Sequence, residues 1–334
     1  MLNKIYERLK KFIIKNYKFI IFIIIATIIL NIKTPYIVKA PGGIISLSDR
    51  VEINGNSINS NYYTSYVKVL DGKVASVIVS FIFPNWDIEK YEEYSGKSNL
   101  SYDELNKVEK LMMQEGNNKA IITALNKANI NYELTNSKII VYYKFDGYKN
   151  DLKIGDIINK CNNKSVENLE QLHECINKAS DNVQLEIKRN NKNKNITAKL
   201  YDSENEKIIG IGVLNLYDIK SDYDIKIKSE ESESGSSGGF MTTLAIYSEL
   251  TNLKLPKNVK IAGTGTIEED EKIGPIDAIK YKLLGAEKQK ATVFFVPEEN
   301  YKDAIKIKKK HKLKLKIIKV SKVDDAINYL NSLR

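Results

Sequence analysis

The hydrophobic positions change character along the chain. Near the start, Phe19 to Leu30 is apolar at every position except Thr27, and Lys4, Arg8, Lys10, Lys11, Lys15 and Lys18 precede it. Taken from Tyr17 to Ile32, this run makes a helix about 24 Å long at ~1.5 Å per residue. That is short of a hydrocarbon core of about 30 Å, but flanking lysines can snorkel to the headgroups. Asn31-Ile32-Lys33-Thr34-Pro35 follows, with no small-x-small cleavage pattern. The run therefore reads as an uncleaved transmembrane anchor over residues 17–33 behind a basic segment 1–16, ahead of the alternatives of a signal peptide or a buried helix. The basic flank belongs on the cytoplasmic side, which places everything after Lys33 outside.

Residues 34–128 mix both periods and predict an α+β segment. Ala40-Pro41-Gly42-Gly43 reads as a turn. Tyr62 to Leu70 and Lys73 to Phe83 read as strands, the second with Val74, Val77, Val79 and Phe81. Ser101-Tyr102-Asp103-Glu104 is a capping box that opens a helix with Leu105, Val108, Leu111 and Met112 on one face. Ala120, Ile121, Ala124, Leu125 and Ala128 continue a helical spacing.

Residues 129–202 read differently. Leu152-Lys-Ile-Gly-Asp-Ile-Ile158 leads to Asn162-Asn163, a helix over Leu169 to Ala179, and strands over Val183 to Lys188 and Ile196 to Leu200 joined by Arg189 to Asn195. In residues 203–334, Ile208 to Val213, Asp224 to Lys228 and 258–267 read as strands, the last with glycine-permitted bends. Lys314 to Val320 and Val323 to Leu333 read as a strand and a closing helix.

A chain of 334 residues holds two or three domains. Its 52 Lys and Arg against 42 Asp and Glu give a net charge of +10. With no zinc-finger, cold-shock or RNA-recognition pattern, that charge points to anionic surfaces rather than nucleic acid. The lysines from Lys306 to Lys319 read as a solvated face, with attraction to anionic lipid or wall polymer as the alternative. Two cysteines, Cys161 and Cys175, are too few for a disulfide framework and read as small buried side chains, a bond between them being the second option. Neither a metal site nor a cofactor is implied.

The candidate chemistry lies in Gly235-Ser236-Ser237-Gly238-Gly239 and Pro275-Ile276-Asp277-Ala278-Ile279-Lys280-Tyr281-Lys282. A serine hydroxyl needs a base to become a nucleophile. The only histidines are His173, in the segment resembling a small binding module, and His311, in the lysine run. A lysine that burial keeps neutral is the remaining base. On a helix starting near Ile276, Ile276, Ile279 and Leu283 form the apolar stripe; Lys282 lies at its edge and Lys280 further round. The plainer readings are a flexible glycine-serine turn and a lysine that snorkels to water.

The order of these motifs resembles the catalytic domain of Lon-type serine proteases: Gly235-Ser-Ser-Gly-Gly239, Thr264-Gly265, Pro275-Ile276 to Lys282 and Ala286, then Val293-Phe-Phe-Val-Pro297-Glu-Glu-Asn300. The resemblance implies a nucleophile at Ser237, a base at Lys282 and a supporting threonine at Thr264. The family's glycine pair before the lysine is Asp277-Ala278 here, and its acidic residue three before the nucleophile is Ser234. Met113-Gln114-Glu115-Gly116 resembles the helix entry in the first part of such domains, which would place 60–128 in the protease fold; a separate α+β cap is the other reading.

Residues 129–202 resemble a PDZ domain, with Asn163 at the family's glycine position and the carboxylate-binding loop expected near Lys138 to Tyr148. Anchor, PDZ-like and Lon-type segments in this order resemble the membrane-anchored PDZ–Lon proteases of Gram-positive bacteria. The resemblance implies an α+β protein with an N-terminal transmembrane helix, a PDZ-like domain and a Lon-type proteolytic domain over 203–334. It also implies an extracellular serine endopeptidase of the cell membrane that cleaves exported peptides or membrane-associated proteins, and it leaves a homo-oligomer open. No Gly-x-x-x-x-Gly-Lys-Ser/Thr loop is present, so the activity is expected to be independent of ATP. The alternatives are an inactive PDZ scaffold for exported peptides and a basic module binding anionic polymers.

Overall fold

The computed structural model describes residues 2–96, 98–203, 206–253, 259–268 and 270–333. Helices and strands are mixed along the chain, which falls into two units: residues 1–42 with 67–99, and residues 43–66 with 100–334.

In the first unit a single helix, Leu2–Leu30, carries both the basic and the apolar stretch. Its Lys4–Leu30 portion is long and apolar enough to cross a membrane. The strand Lys33–Ser46 runs straight through the expected turn at residues 40–43. Within the first unit it pairs antiparallel with Asp87–Lys90, Tyr36 opposite Lys90 and Lys39 opposite Asp87, and Lys39 pairs with Glu89. The strand expected from Lys73 to Phe83 is instead a helix, Val74–Ser80, followed by turns. A short apolar run does not reveal its own period. Ser76 Oγ bonds the carbonyls of Asp71 and Lys73, and Ser80 Oγ that of Val77, alongside the helical turn.

The second unit is built on a parallel sheet, in the order Lys316–Val320, Val293–Pro297, Ile261–Gly263 and the start of Tyr62–Lys73. Val293 to Pro297 is buried at every position, as a strand covered on both faces must be. Phe295 and Ile261 face Phe240, Met241 and Leu244 of the helix Gly239–Leu250, with Ala120, Ala124 and Leu125 of Tyr102–Lys127 and Ala326 and Leu330 of Val323–Asn331 in the same core. Phe294, Val296 and Ala262 face the other way, onto Leu283 and Ala286 of Ile279–Lys288 and Ala304 of Glu298–His311. The capping box at Ser101 forms, with Ser101 Oγ accepting from the Glu104 amide. The single strand expected over 258–267 divides: residue 258 lies outside the described residues, Ile261–Gly263 joins the parallel sheet, and Thr266–Ile267 pairs with Ile273–Gly274.

Between Tyr132–Lys144 and Ile211–Ser221, which pair with each other, the chain forms an antiparallel sheet with one helix, Leu169–Lys178. Ile139, Val141, Leu152, Ile158, Leu172, Val183, Leu185 and Ile187 fill its core. The strand order is Lys192–Lys199, Asn182–Arg189, Ile157–Cys161, Tyr132–Lys144, Ile211–Ser221. The edge of Tyr132–Lys144 away from Ile157–Cys161 is thus taken by the chain itself. The loop expected from Lys138 to Tyr148 is strand as far as Lys144, and the long connection expected from Arg189 to Asn195 shrinks to a turn on Asn190 and Asn191. Cys161, on a strand, and Cys175, on the helix, form a disulfide, which corrects the expectation of free thiols.

Candidate active site

Ser237 sits at the mouth of the helix Gly239–Leu250, behind Gly235, whose φ of +90° a side chain would strain. Backbones crowd this turn. A side chain on Gly116 would come within 3.3 Å of Ser236, and one on Gly239 within 3.0 Å of Ile267 and 3.4 Å of the Gly116 carbonyl. The Gly235 amide donates to the Glu109 carbonyl at 3.0 Å. The Ser237 carbonyl accepts from the Gly265 amide at 2.8 Å and from Thr264 Oγ1 at 3.1 Å. Thr264-Gly265 therefore holds the serine turn from the adjoining strand end.

Lys282 comes from Ile279–Lys288, a helix that starts three positions later than the expected Ile276. The delay has a cause: Ala278 is left-handed, with φ +62° and ψ +29°, so the chain enters the helix only beyond it. The segment before it is clamped by Asn300, whose Oδ1 accepts from the Ile276 amide at 2.9 Å and whose Nδ2 donates to the Ile276 carbonyl at 2.8 Å. Ile279 and Leu283 are buried, as the stripe predicted, and so is Lys282, at 3% exposure.

The three residues singled out from the sequence meet. Lys282 Nζ lies 2.7 Å from Ser237 Oγ and 3.0 Å from Thr264 Oγ1, and Thr264 is fully buried. Burial lowers the Lys282 pKa to about 8, against the opposing pull of the Asp277 and Glu109 carboxylates. The Glu109 carboxyl is itself pushed up, first by burial, then by Asp277, with Lys282 acting in the other direction. These distances are within the reach that a lysine base acting on a serine hydroxyl requires.

The spacing of motifs reached Ser237, Thr264 and Lys282 but not Glu109, Asn300 or the contact at Gly116. Glu109 sits on Tyr102–Lys127, far from the other site residues in sequence, and no local pattern marks it. Asn300 stood within the matched motif; its two hydrogen bonds to the Ile276 backbone appear only in three dimensions.

Residues 217–332 match the sequence profile of the Lon protease (S16) C-terminal proteolytic domain. This segment is similar to Lon-type proteolytic domains. The Lon protease of Trichlorobacter lovleyi is 34% identical over 93 residues, covering 28% of this chain and 11% of that protein. For the Lon protease of Rickettsia felis the identity is 34% over 116 residues, covering 34% and 15%. For that of Syntrophomonas wolfei it is 31% over 113 residues, covering 33% and 14%. The chain thus spans 11 to 15% of the length of these curated relatives. Among solved structures, the PDZ domain of an SdrC-like protein from Listeria monocytogenes aligns with a TM-score of 0.23 at 21% identity, over 25% of this chain and 93% of that one. The matched range holds Ser237, Thr264, Lys282 and Asn300; Gly116 and Glu109 come from residues ahead of it.

Proposed function

We propose that the chain is an ATP-independent, membrane-anchored serine endopeptidase that makes limited cuts in exported peptides or membrane-associated proteins outside the cytoplasm. The observation that carries this reading is the 2.7 Å approach of a buried Lys282 Nζ to Ser237 Oγ. Neutral Lys282 takes the Ser237 proton as the serine oxygen attacks the scissile carbonyl, and the ammonium then returns a proton to the leaving amine. Lys282 next activates water for deacylation, and Thr264 orients the amine throughout. The Gly239 and Phe240 amides are bound to the Ser236 and Gly265 carbonyls, so we assign the oxyanion to the amides of Ser237 and Gly238.

The domain reading is an anchor ending at the helix terminus, Leu30, a PDZ-like insertion between the paired strands Tyr132–Lys144 and Ile211–Ser221, and a protease fold that includes residues 100–128. Two observations support the placement outside: a helix able to span a bilayer and a disulfide, which oxidising compartments maintain. A peptide does not add a strand to Tyr132–Lys144, because Ile157–Cys161 and Ile211–Ser221 occupy its two edges.

The test is turnover of a peptide library by the full chain in proteoliposomes without nucleotide. Ser237→Ala and Lys282→Ala should each abolish cleavage with the thermal transition retained, and a serine-reactive fluorophosphonate should label Ser237. Near-normal turnover by Lys282→Ala would remove the lysine from the mechanism. No adduct on Ser237 at any pH would point instead to an inactive scaffold.

A further inference from the structure

In the first unit, Ile78, Phe81, Ile82 and Phe83 are 50%, 78%, 70% and 51% exposed. Single exposed apolar side chains need no explanation, but a contiguous cluster does. Trp86 extends the cluster, its ring stacked on Phe83 with centroids 5.1 Å apart.

The cluster has a fixed address. It begins on the helix Val74–Ser80, which packs against the long N-terminal helix. The Val74 amide donates to the Ile32 carbonyl at 3.0 Å, and Lys73 Nζ reaches Asn31 Oδ1 at 3.2 Å. Asn31 and Ile32 directly follow the apolar helix Leu2–Leu30. The short helix is therefore tied to the end at which the apolar helix stops, and Lys33 and Lys73 stand at that same end. A helix of this length is about 10 Å long, comparable with a headgroup region of roughly 5–8 Å per leaflet.

We propose that Ile78, Phe81, Ile82, Phe83 and Trp86 form a membrane foot, which enters the interfacial region of the leaflet where the anchor emerges and is covered there by phospholipid. The proposal rests on the anchor reading. Aromatic side chains settle at this depth because one end is apolar and the other tolerates water. Isoleucine and phenylalanine beside them add apolar area, and lysine at the anchor's exit favours phosphate headgroups. The foot gives the first unit a second attachment to the bilayer, beyond the spanning helix.

Trp86 is the chain's only tryptophan, so its fluorescence reports on the foot alone. The full chain is reconstituted in phosphatidylcholine–phosphatidylglycerol vesicles containing lipids brominated high on the acyl chain. The expected result is blue-shifted emission, quenched by brominated lipid and shielded from iodide. In F81S/I82S/F83S the emission should shift red and brominated quenching should fall at least threefold, while the chain still floats with the vesicles after alkaline extraction. Iodide quenching without bromolipid quenching in a chain that floats overturns the foot and leaves the anchor standing. Shielding from both quenchers that fades as protein is diluted overturns it in favour of a second copy. Loss of flotation overturns the anchor, and the foot with it.

Discussion

At the residue scale, the consequence of Lys282 is a pH profile. The pKa of about 8 arises because burial disfavours the ammonium more than Asp277 and Glu109 support it. In the proposed mechanism only the neutral amine accepts the Ser237 proton, so kcat/KM should rise about tenfold per pH unit below the midpoint and level off above about pH 8. Asp277→Asn removes an anion that favours the charged form. The lysine then deprotonates more readily, and the midpoint should move to lower pH, with a larger fraction of active enzyme at pH 7. A pH–rate series on both proteins checks this; a midpoint that stays put or moves up contradicts the electrostatic account. Ala278 offers a second residue-scale test. Its left-handed backbone costs an L side chain about 1–2 kcal/mol, and glycine gives back about 0.5–1 through the entropy of the unfolded chain. Ala278→Gly should therefore stabilise the protein by about 0.5–1 kcal/mol in denaturant unfolding. A loss of stability would mean that the alanine methyl group is needed for packing.

At the element scale, the sequence was legible wherever a pattern had one physical solution. The capping box at Ser101 has one, and so do the fully buried strand Val293–Pro297 and the stripe that turned Lys282 inward. Ser237, Thr264 and Lys282, which lie together, could be singled out as candidates because turn, strand end and helix each carry their own local signature. Val74–Ser80 had two solutions, because a short apolar run does not reveal its own period, and its packing on the N-terminal helix is not written in its own residues. The Cys161–Cys175 bond depended on a helix crossing a strand, and Glu109 on a helix distant in sequence packing behind Gly235. Asparagine proved more informative than composition suggested. Asn162-Asn163 and Asn190-Asn191 both turn hairpins with positive φ, at 47° and 65° and at 49° and 61°. These are positions where glycine is the usual choice. Replacing Asn190 and Asn191 by valine should cost about 1–2 kcal/mol each, whereas glycine at both should leave stability nearly unchanged. Comparing denaturant midpoints separates a conformational role from a side-chain one, since a loss with glycine would show that the amides themselves matter.

At the scale of the whole molecule, the disulfide and the apolar helix make a joint statement about compartment. The bond closes a loop with a sequence separation of 14 and joins strand to helix in the inserted antiparallel unit. Loop closure of that length is worth about 3 kcal/mol in the chain-entropy account, so Cys161→Ala with Cys175→Ala should lower the stability of the chain by about 2–4 kcal/mol. Such a bond survives only where the thiol pool does not reduce it. If the anchor leaves its basic flank in the cytoplasm, residues 161 and 175 lie on the oxidising side, and a membrane-permeant maleimide added to cells that are then denatured should modify neither until a reductant is supplied. Two freely reactive thiols would place the inserted unit, and with it the Ser237–Lys282 pair, in the cytoplasm. The substrates would then be cytoplasmic proteins, and the same 2.7 Å contact would serve a different task. The thiol experiment therefore decides where the peptidase works without requiring any substrate to be known.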